Sequence, residues 1–175
     1  NAEPFGFGPT AAIAAFFPAL RPHFASIGYM GKRHTLDLQR GLPYDEIHDV
    51  SHINKNARSK AYAPIFANYD IVLTAMDHKV AEAAQKAGLK TMYYDALAWY
   101  WPKIPAGARH SDLYMAQDFF GVPQRLKDVF ASHANAHIVP PLVPYLLNEA
   151  PTKSHVLINL GGLQNPYWPV DDVIA

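Results

Sequence analysis

The sequence predicts an α/β domain built around a largely parallel sheet, with helices covering its faces. Three observations predict it: a complete strand–helix–strand unit mid-chain, the return of that rhythm on both sides, and an apolar content high enough to bury a sheet. Half of the 175 residues are apolar and only 17% are charged, which excludes a disordered chain. The length suffices for one substantial core and the start of a second.

The central unit is the clearest. Ile71-Val72-Leu73-Thr74-Ala75-Met76 is a short apolar run of the kind a buried strand makes. Asp77 is placed to cap a following helix, Lys79 to Ala87 is rich in helix formers, and Gly88 falls where a C′ glycine closes a helix. Leu89 to Tyr94 makes the next strand, with Asp95 after it. A crossover of about twelve residues is what parallel pairing requires.

From the start of the chain, Asn1-Ala2 has the look of a cleaved tag and is set outside the fold. A glycine-rich turn, Phe5-Gly6-Phe7-Gly8-Pro9-Thr10, then enters the apolar helix from Ala12 to Leu20. Phe24 to Met30 is expected as a strand, Ile47 to Val50 as a short one, and Lys55 to Asn68 as a helix weakened by Pro64. Beyond the central unit come a strand from Asp112 to Ala116, a helix from Pro123 to Ala131 and a short strand from His137 to Val139. Pro140, Pro141 and Pro144 stiffen a connector, with Pro151 further on. His155 to Leu160 restarts as a strand ending in Gly161-Gly162. The expected division is therefore residues 1–145 as one domain, and residues 146–175 as a linker plus the first strand, loop and helix of a truncated second.

Charge and composition exclude several functions. Fifteen basic residues balance fifteen acidic ones, so nothing indicates a nucleic-acid groove or an anionic membrane surface. A nucleotide bound here would be held by backbone amides and helix termini. The absence of cysteine removes thiol chemistry, disulfides and thiolate metal sites. No apolar run reaches the ~18 residues of a membrane span, and the cytoplasm is the default compartment. His48 and His52 share an i, i+4 spacing, and His133 and His137 another. Neither pair has a third ligand in view, so no metal is expected. No Gly-x-Ser-x-Gly elbow occurs.

Candidate chemistry gathers at the ends of strands, because ligands of open α/β sheets bind outside the carboxyl ends. Asp77, Asp95 and Asp118 follow predicted strands, and Glu3 stands just ahead of the glycine turn. Each carboxylate is a candidate general base or hydroxyl-binding group. Against this, Asp77 has helix capping to do and Asp118 suits an ordinary turn, whereas Asp95 has no helix directly behind it. Gly6, Gly8 and Ala11 match the dinucleotide fingerprint formally. The acid expected after the second strand is missing from Gly28-Tyr29-Met30-Gly31, so a nicotinamide or flavin enzyme is disfavoured and no cofactor is expected. The loop remains either a plain turn or a substrate-facing one. Trp99, Tyr100 and Trp101 stand together in a loop closed by Pro102 and Pro105, suited to packing beneath a second domain or to stacking on a planar ring.

With these residues in hand, the chain resembles the N-terminal half of glycosyltransferases with two facing Rossmann-like domains, the GT-B arrangement. The likeness is carried by Gly6-Phe7-Gly8-Pro9-Thr10, by the strand Tyr69 to Leu73 and its helix, by Leu89 to Asp95, and by the restart Val156 to Leu163. Tyr94-Asp95-Ala96-Leu97 and Asp112 to Gln117 are similar to enzymes of the cytosylglucuronate synthase type. The resemblance implies transfer of a sugar from a nucleotide-sugar donor, a UDP-sugar among them, to a small acceptor. This chain would be mainly the acceptor-side half. Its partners would be the nucleotide sugar, the acceptor and its own C-terminal domain, with no nucleic acid. Glu3, Asp77 and Asp95 would compete for the base role. Gly6, Gly8, Pro9, Thr10, Trp99, Tyr100, Trp101 and Asp118 would face the acceptor, and Gly161 and Gly162 the donor diphosphate. Many such enzymes place a histidine beside the first glycine loop, and none stands in this loop. The half alone should be inactive. The reading from another class is a noncatalytic Rossmann-like module that holds a nucleotide or a partner protein.

Overall fold

The computed structural model describes residues 1–4, 6–54 and 58–142. The expected second domain, with Gly161, Gly162 and the strand from His155 to Leu160, lies outside them, as do Phe5, Pro144 and Pro151. In chain order the elements are α1 (Phe7–Leu20), β1 (Gly28–Gly31), α2 (His34–Gln39), β2 (Glu46–Asp49), α3 (Arg58–Phe66), β3 (Ile71–Ala75) and α4 (His78–Lys86). They continue as β4 (Lys90–Asp95), α5 (Ala106–Arg109), β5 (Leu113–Gln117), α6 (Val122–Arg125), α7 (Lys127–Ser132) and β6 (Ala136–Val139).

β3, β4, β5 and β6 form a parallel sheet in that order, and β1 pairs with β2, also in parallel. The segment Asn1–Glu3 joins the two. Glu3 N–H donates to Ala75 O (2.9 Å), Ala75 N–H donates to Asn1 O (3.0 Å), and Asn1 Nδ2 donates to Met30 O of β1 (2.9 Å). Ala2 pairs in parallel with Ala75 and is buried. The expectation that Asn1-Ala2 lies outside the fold is thus corrected: these residues sit at the sheet's centre. Two residues carry no periodicity from which this could be read. With the segment counted, the spatial order is β2, β1, residues 1–3, β3, β4, β5, β6, the doubly wound Rossmann-like order. Its switch point falls between residues 1–3 and β3.

Successive strand residues face opposite helical layers. Leu73, Ala75, Met92, Tyr94, Leu113 and Met115 pack with Ala12, Ile13 and Phe16 of α1. On the other face Tyr93, Tyr114 and Ala116 pack with Ala81, Ala108, Val122 and Leu126. A third cluster joins Met30 and Val72 to Tyr62 and Phe66 of α3 and to Val80 and Ala84 of α4. Burial on both faces is why these strands read as nearly continuous apolar runs. α4 presents small residues inward, and its neighbour α5 approaches so closely that a Cβ on Gly107 would strike the carbonyl oxygen of His78.

Local signals explain the ends of the central unit. Asp77 accepts Val80 N–H at 3.1 Å as the N-cap of α4, and Gly88 adopts φ 82° just past its end. Two elements differ from expectation in extent. The strand anticipated from Phe24 is ordered only over Gly28–Gly31, because Ile27 N–H and the Arg21 guanidinium both turn to the Asp45 carboxylate. The helix expected from Pro123 to Ala131 is two short ones, α6 and α7, with Leu126 between them turned into the core. α2 and α5 were not anticipated, having six and four residues, too few to display a helical period.

Candidate functional site

The carboxyl ends of β1, residues 1–3 and β3 deliver three loops to the switch point: Lys32 to His34, Gly6 to Gly8, and Met76 to His78. Among the described residues, two that are not glycine have positive φ, Arg33 (54°) and Met76 (64°). Each is within two residues of a strand's carboxyl end, and together they flank the glycine loop. Such conformations cost about 1–3 kcal/mol each and concentrate at functional sites.

The glycine loop leads directly into α1. Gly6 is extended at the N-cap of α1, and a Cβ on Gly6 or Gly8 would meet nothing within 4 Å. No turn or close backbone approach therefore demands glycine; the space in front of α1 is open. Pro9 is buried in the first turn of α1. Thr10 is fully buried, its hydroxyl donating to Thr35 O (3.1 Å) while Gln39 Nε2 donates to that hydroxyl (2.8 Å) and to Thr10 O (2.6 Å). Thr10 thus ties α1 to α2, and neither it nor the buried Pro9 presents a group to solvent.

A histidine does stand beside the loop. His34 Nε2 lies 3.2 Å from Gly6 O, and the His34 ring meets Phe7 edge-on at 5.2 Å. A carbonyl only accepts, so Nε2 carries the proton and the neutral ring keeps its lone pair on Nδ1. The residue lies 28 positions from Gly6, and no local spacing could have shown it; the register of β1 beside residues 1–3 brings it there.

The acids are brought together in part. Burial first, then the negative charges of Asp95, Asp77 and Glu3, push the Tyr93 phenol well above its usual range. Asp77 is buried and caps α4, as expected of it. Asp95 closes β4 and is 1% exposed. One of its oxygens accepts Leu97 N–H (3.0 Å) and the other accepts the Tyr114 hydroxyl (2.9 Å). Burial raises its pKa to about 6, opposed by those two hydrogen bonds. Glu3 is half-buried and Asp118 is exposed on the loop after β5.

The aromatic loop after β4 is exposed at Trp99 and Tyr100 and half-buried at Trp101. The three rings pack edge-on at 5.7 and 5.2 Å. Trp99 also meets Phe119 of the neighbouring loop, with centroids 5.1 Å apart and planes 33° apart. Phe119 extends this cluster and carried no signal of its own in the sequence, since only the pairing of β4 with β5 places it beside Trp99.

An apolar cavity of about 310 Å³ lies at the opposite edge of the sheet, between the starts of β1 and β3, walled by Phe17, Phe24, Tyr44, Tyr69 and Leu73. None of the candidate residues lines it. Among the described residues no group of three or more His, Asp or Glu side chains is placed to hold a metal ion, and no helix is long and apolar enough to cross a membrane. His133 serves structure, with Nε2 donating to Ser111 O (2.7 Å) and Nδ1 accepting Asn135 N–H (3.2 Å). No protein-family model matches the chain, and neither the curated proteins nor the solved structures contain a match to it.

Proposed function

We propose that this chain is the acceptor-side Rossmann-like domain of a nucleotide-sugar-dependent glycosyltransferase, of the GT-B arrangement and nearest in kind to the cytosylglucuronate synthases. The observation that carries the proposal is the meeting of the open glycine loop, His34 and the strained residues Arg33 and Met76 at the switch point. In the transfer, a base takes the acceptor's N–H or O–H proton as the acceptor bonds to the anomeric carbon. The bond from that carbon to the diphosphate oxygen breaks, and the nucleoside diphosphate leaves with the electron pair. His34 fits the base role better than Glu3, Asp77 or Asp95. Its Nδ1 is the acceptor once Nε2–H is spent on Gly6, whereas Asp77 and Asp95 are buried and engaged by backbone N–H groups. The exposed rings of Trp99 and Tyr100 suit a planar acceptor.

The same engagement of Asp77 and Asp95 favours one other reading, a noncatalytic module that binds a nucleotide or a partner. A thermal-shift series on the full-length protein separates the two, since ligands stabilise a fold by mass action. Selective stabilisation by one nucleotide sugar, with release of its nucleoside diphosphate when an acceptor is added, is the expected result. Stabilisation without release supports the module, and stabilisation by NAD alone overturns the transferase.

A further inference from the structure

We infer that Thr10 and Gln39 are positioning residues: together they form a buried clamp between α1 and α2 that holds His34 against the glycine loop. The inference rests on the transferase reading for the chemical role of His34. Its structural test stands apart from that reading.

α2 has six residues, and helices shorter than ~12–15 residues are marginal unless tertiary contacts hold them. Its first residue, His34, meets Gly6 and Phe7, the N-cap and first residue of α1. Those two residues lie 28 and 27 positions away along the chain, so nothing local fixes the distance. Bonds between the two helices have to fix it.

The clamp grips α2 near both ends. Close to its start, the Thr10 hydroxyl donates to Thr35 O (3.1 Å). At its end, Gln39 Nε2 donates to Thr10 O (2.6 Å) and to Thr10 Oγ1 (2.8 Å). Thr10 O can only accept, so the amide nitrogen faces it and Oε1 is left for the Tyr44 hydroxyl, which donates at 2.7 Å. Thr10, Thr35 and Gln39 are all fully buried. A buried polar network whose members are satisfied is rigid and favours one arrangement.

Thr35 carries the grip into the turn before His34. Its hydroxyl accepts Lys32 N–H (3.0 Å) and donates to Lys32 O (2.8 Å), across the residue Arg33 with its φ of 54°. The fit is close: a Cβ on Gly31 would come within 2.7 Å of Thr35 Oγ1. His34 is the neighbour of gripped Thr35, and Gly6 stands one helical turn before gripped Thr10. The clamp therefore sets the separation of His34 from the loop without either residue reaching a ligand.

The test uses three variants of the full-length protein. Gln39→Met fills similar space without donors, Thr10→Val keeps the shape without the hydroxyl, and Thr10→Ser keeps the hydroxyl. The structural readout is the nuclear Overhauser cross-peak between the His34 and Phe7 rings, recorded well below each variant's melting temperature. Gln39→Met and Thr10→Val should lose most of it, and Thr10→Ser should retain it. In the same two variants kcat for transfer should fall about 10- to 100-fold with KM for the nucleotide sugar unchanged, since a misplacement of about 1 Å costs up to about 10²-fold. An unchanged cross-peak in both overturns the clamp, whatever happens to the melting temperature. A lost cross-peak with unchanged kcat leaves the clamp standing and removes His34 from the chemistry. Should Gln39→Met and Thr10→Val fail to fold, Tyr44→Phe, which frees only Gln39 Oε1, gives the same readout: a weakened cross-peak supports the clamp and an unchanged one overturns it.

Discussion

The Tyr114 hydroxyl donates to the Asp95 carboxylate across 2.9 Å, inside the layer where β4 and β5 face α4, and this bond ties the end of one strand to the start of the next. A carboxylate so placed is costly when charged, and several outcomes can be checked from it.

Because burial raises the Asp95 pKa to about 6, its contribution to stability is fully present below pH 3.8 and is lost as pH rises through 6. The loss amounts to about 3 kcal/mol by neutral pH. Asp95→Asn removes the titration, so the stability of the variant relative to the wild type should rise by about that amount between pH 4 and 7. Urea unfolding across that range measures it.

Tyr114→Phe takes away a hydrogen bond that holds the Asp95 pKa down. The variant should lose about 1–3 kcal/mol at pH 7, and the Asp95 titration seen in the pH–stability profile should move above 6.

Asp77→Ala should cost about 1 kcal/mol through loss of the α4 cap, and Asp77→Ser should restore most of it. Should Asp77→Ser fold normally yet lose sugar transfer, the carboxylate has a chemical role beyond capping. Denaturant midpoints and transfer rates on one preparation give both readouts.

His34→Gln keeps a donor able to reach Gly6 O but has no group that can take a proton. Transfer by the full-length protein should fall about 10²- to 10⁴-fold while stability stays within about 1 kcal/mol. Retention of wild-type rate would pass the base role to Glu3.

Much of the fold was legible because it is written locally. Ile71 to Gly88 carries a strand run, a cap, a helix and its terminator in one stretch, and each is found in place. Adjacent carboxylates at strand ends were also legible, since the position of a residue after a strand fixes its edge of the sheet. What escaped depends on the order of strands. His34 reaches Gly6, and Phe119 reaches Trp99, only because β1 lies beside residues 1–3 and β4 beside β5. The opening loop stayed open between a plain turn and a substrate-facing one, because the formal match of Gly6, Gly8 and Ala11 says nothing of the backbone, which at Gly6 is extended.

The splice made by Asn1–Glu3 gives the molecule a seam. Its β1–β2 half and its β3–β6 half meet at this short run, which pairs with β3 through Ala75 and reaches β1 through the Asn1 side chain. The amides of Glu3 and Ala75 therefore report on that joint. In hydrogen exchange they should open together, and earlier than the amides at the centre of β4, so that the molecule parts first along the line where its loops diverge.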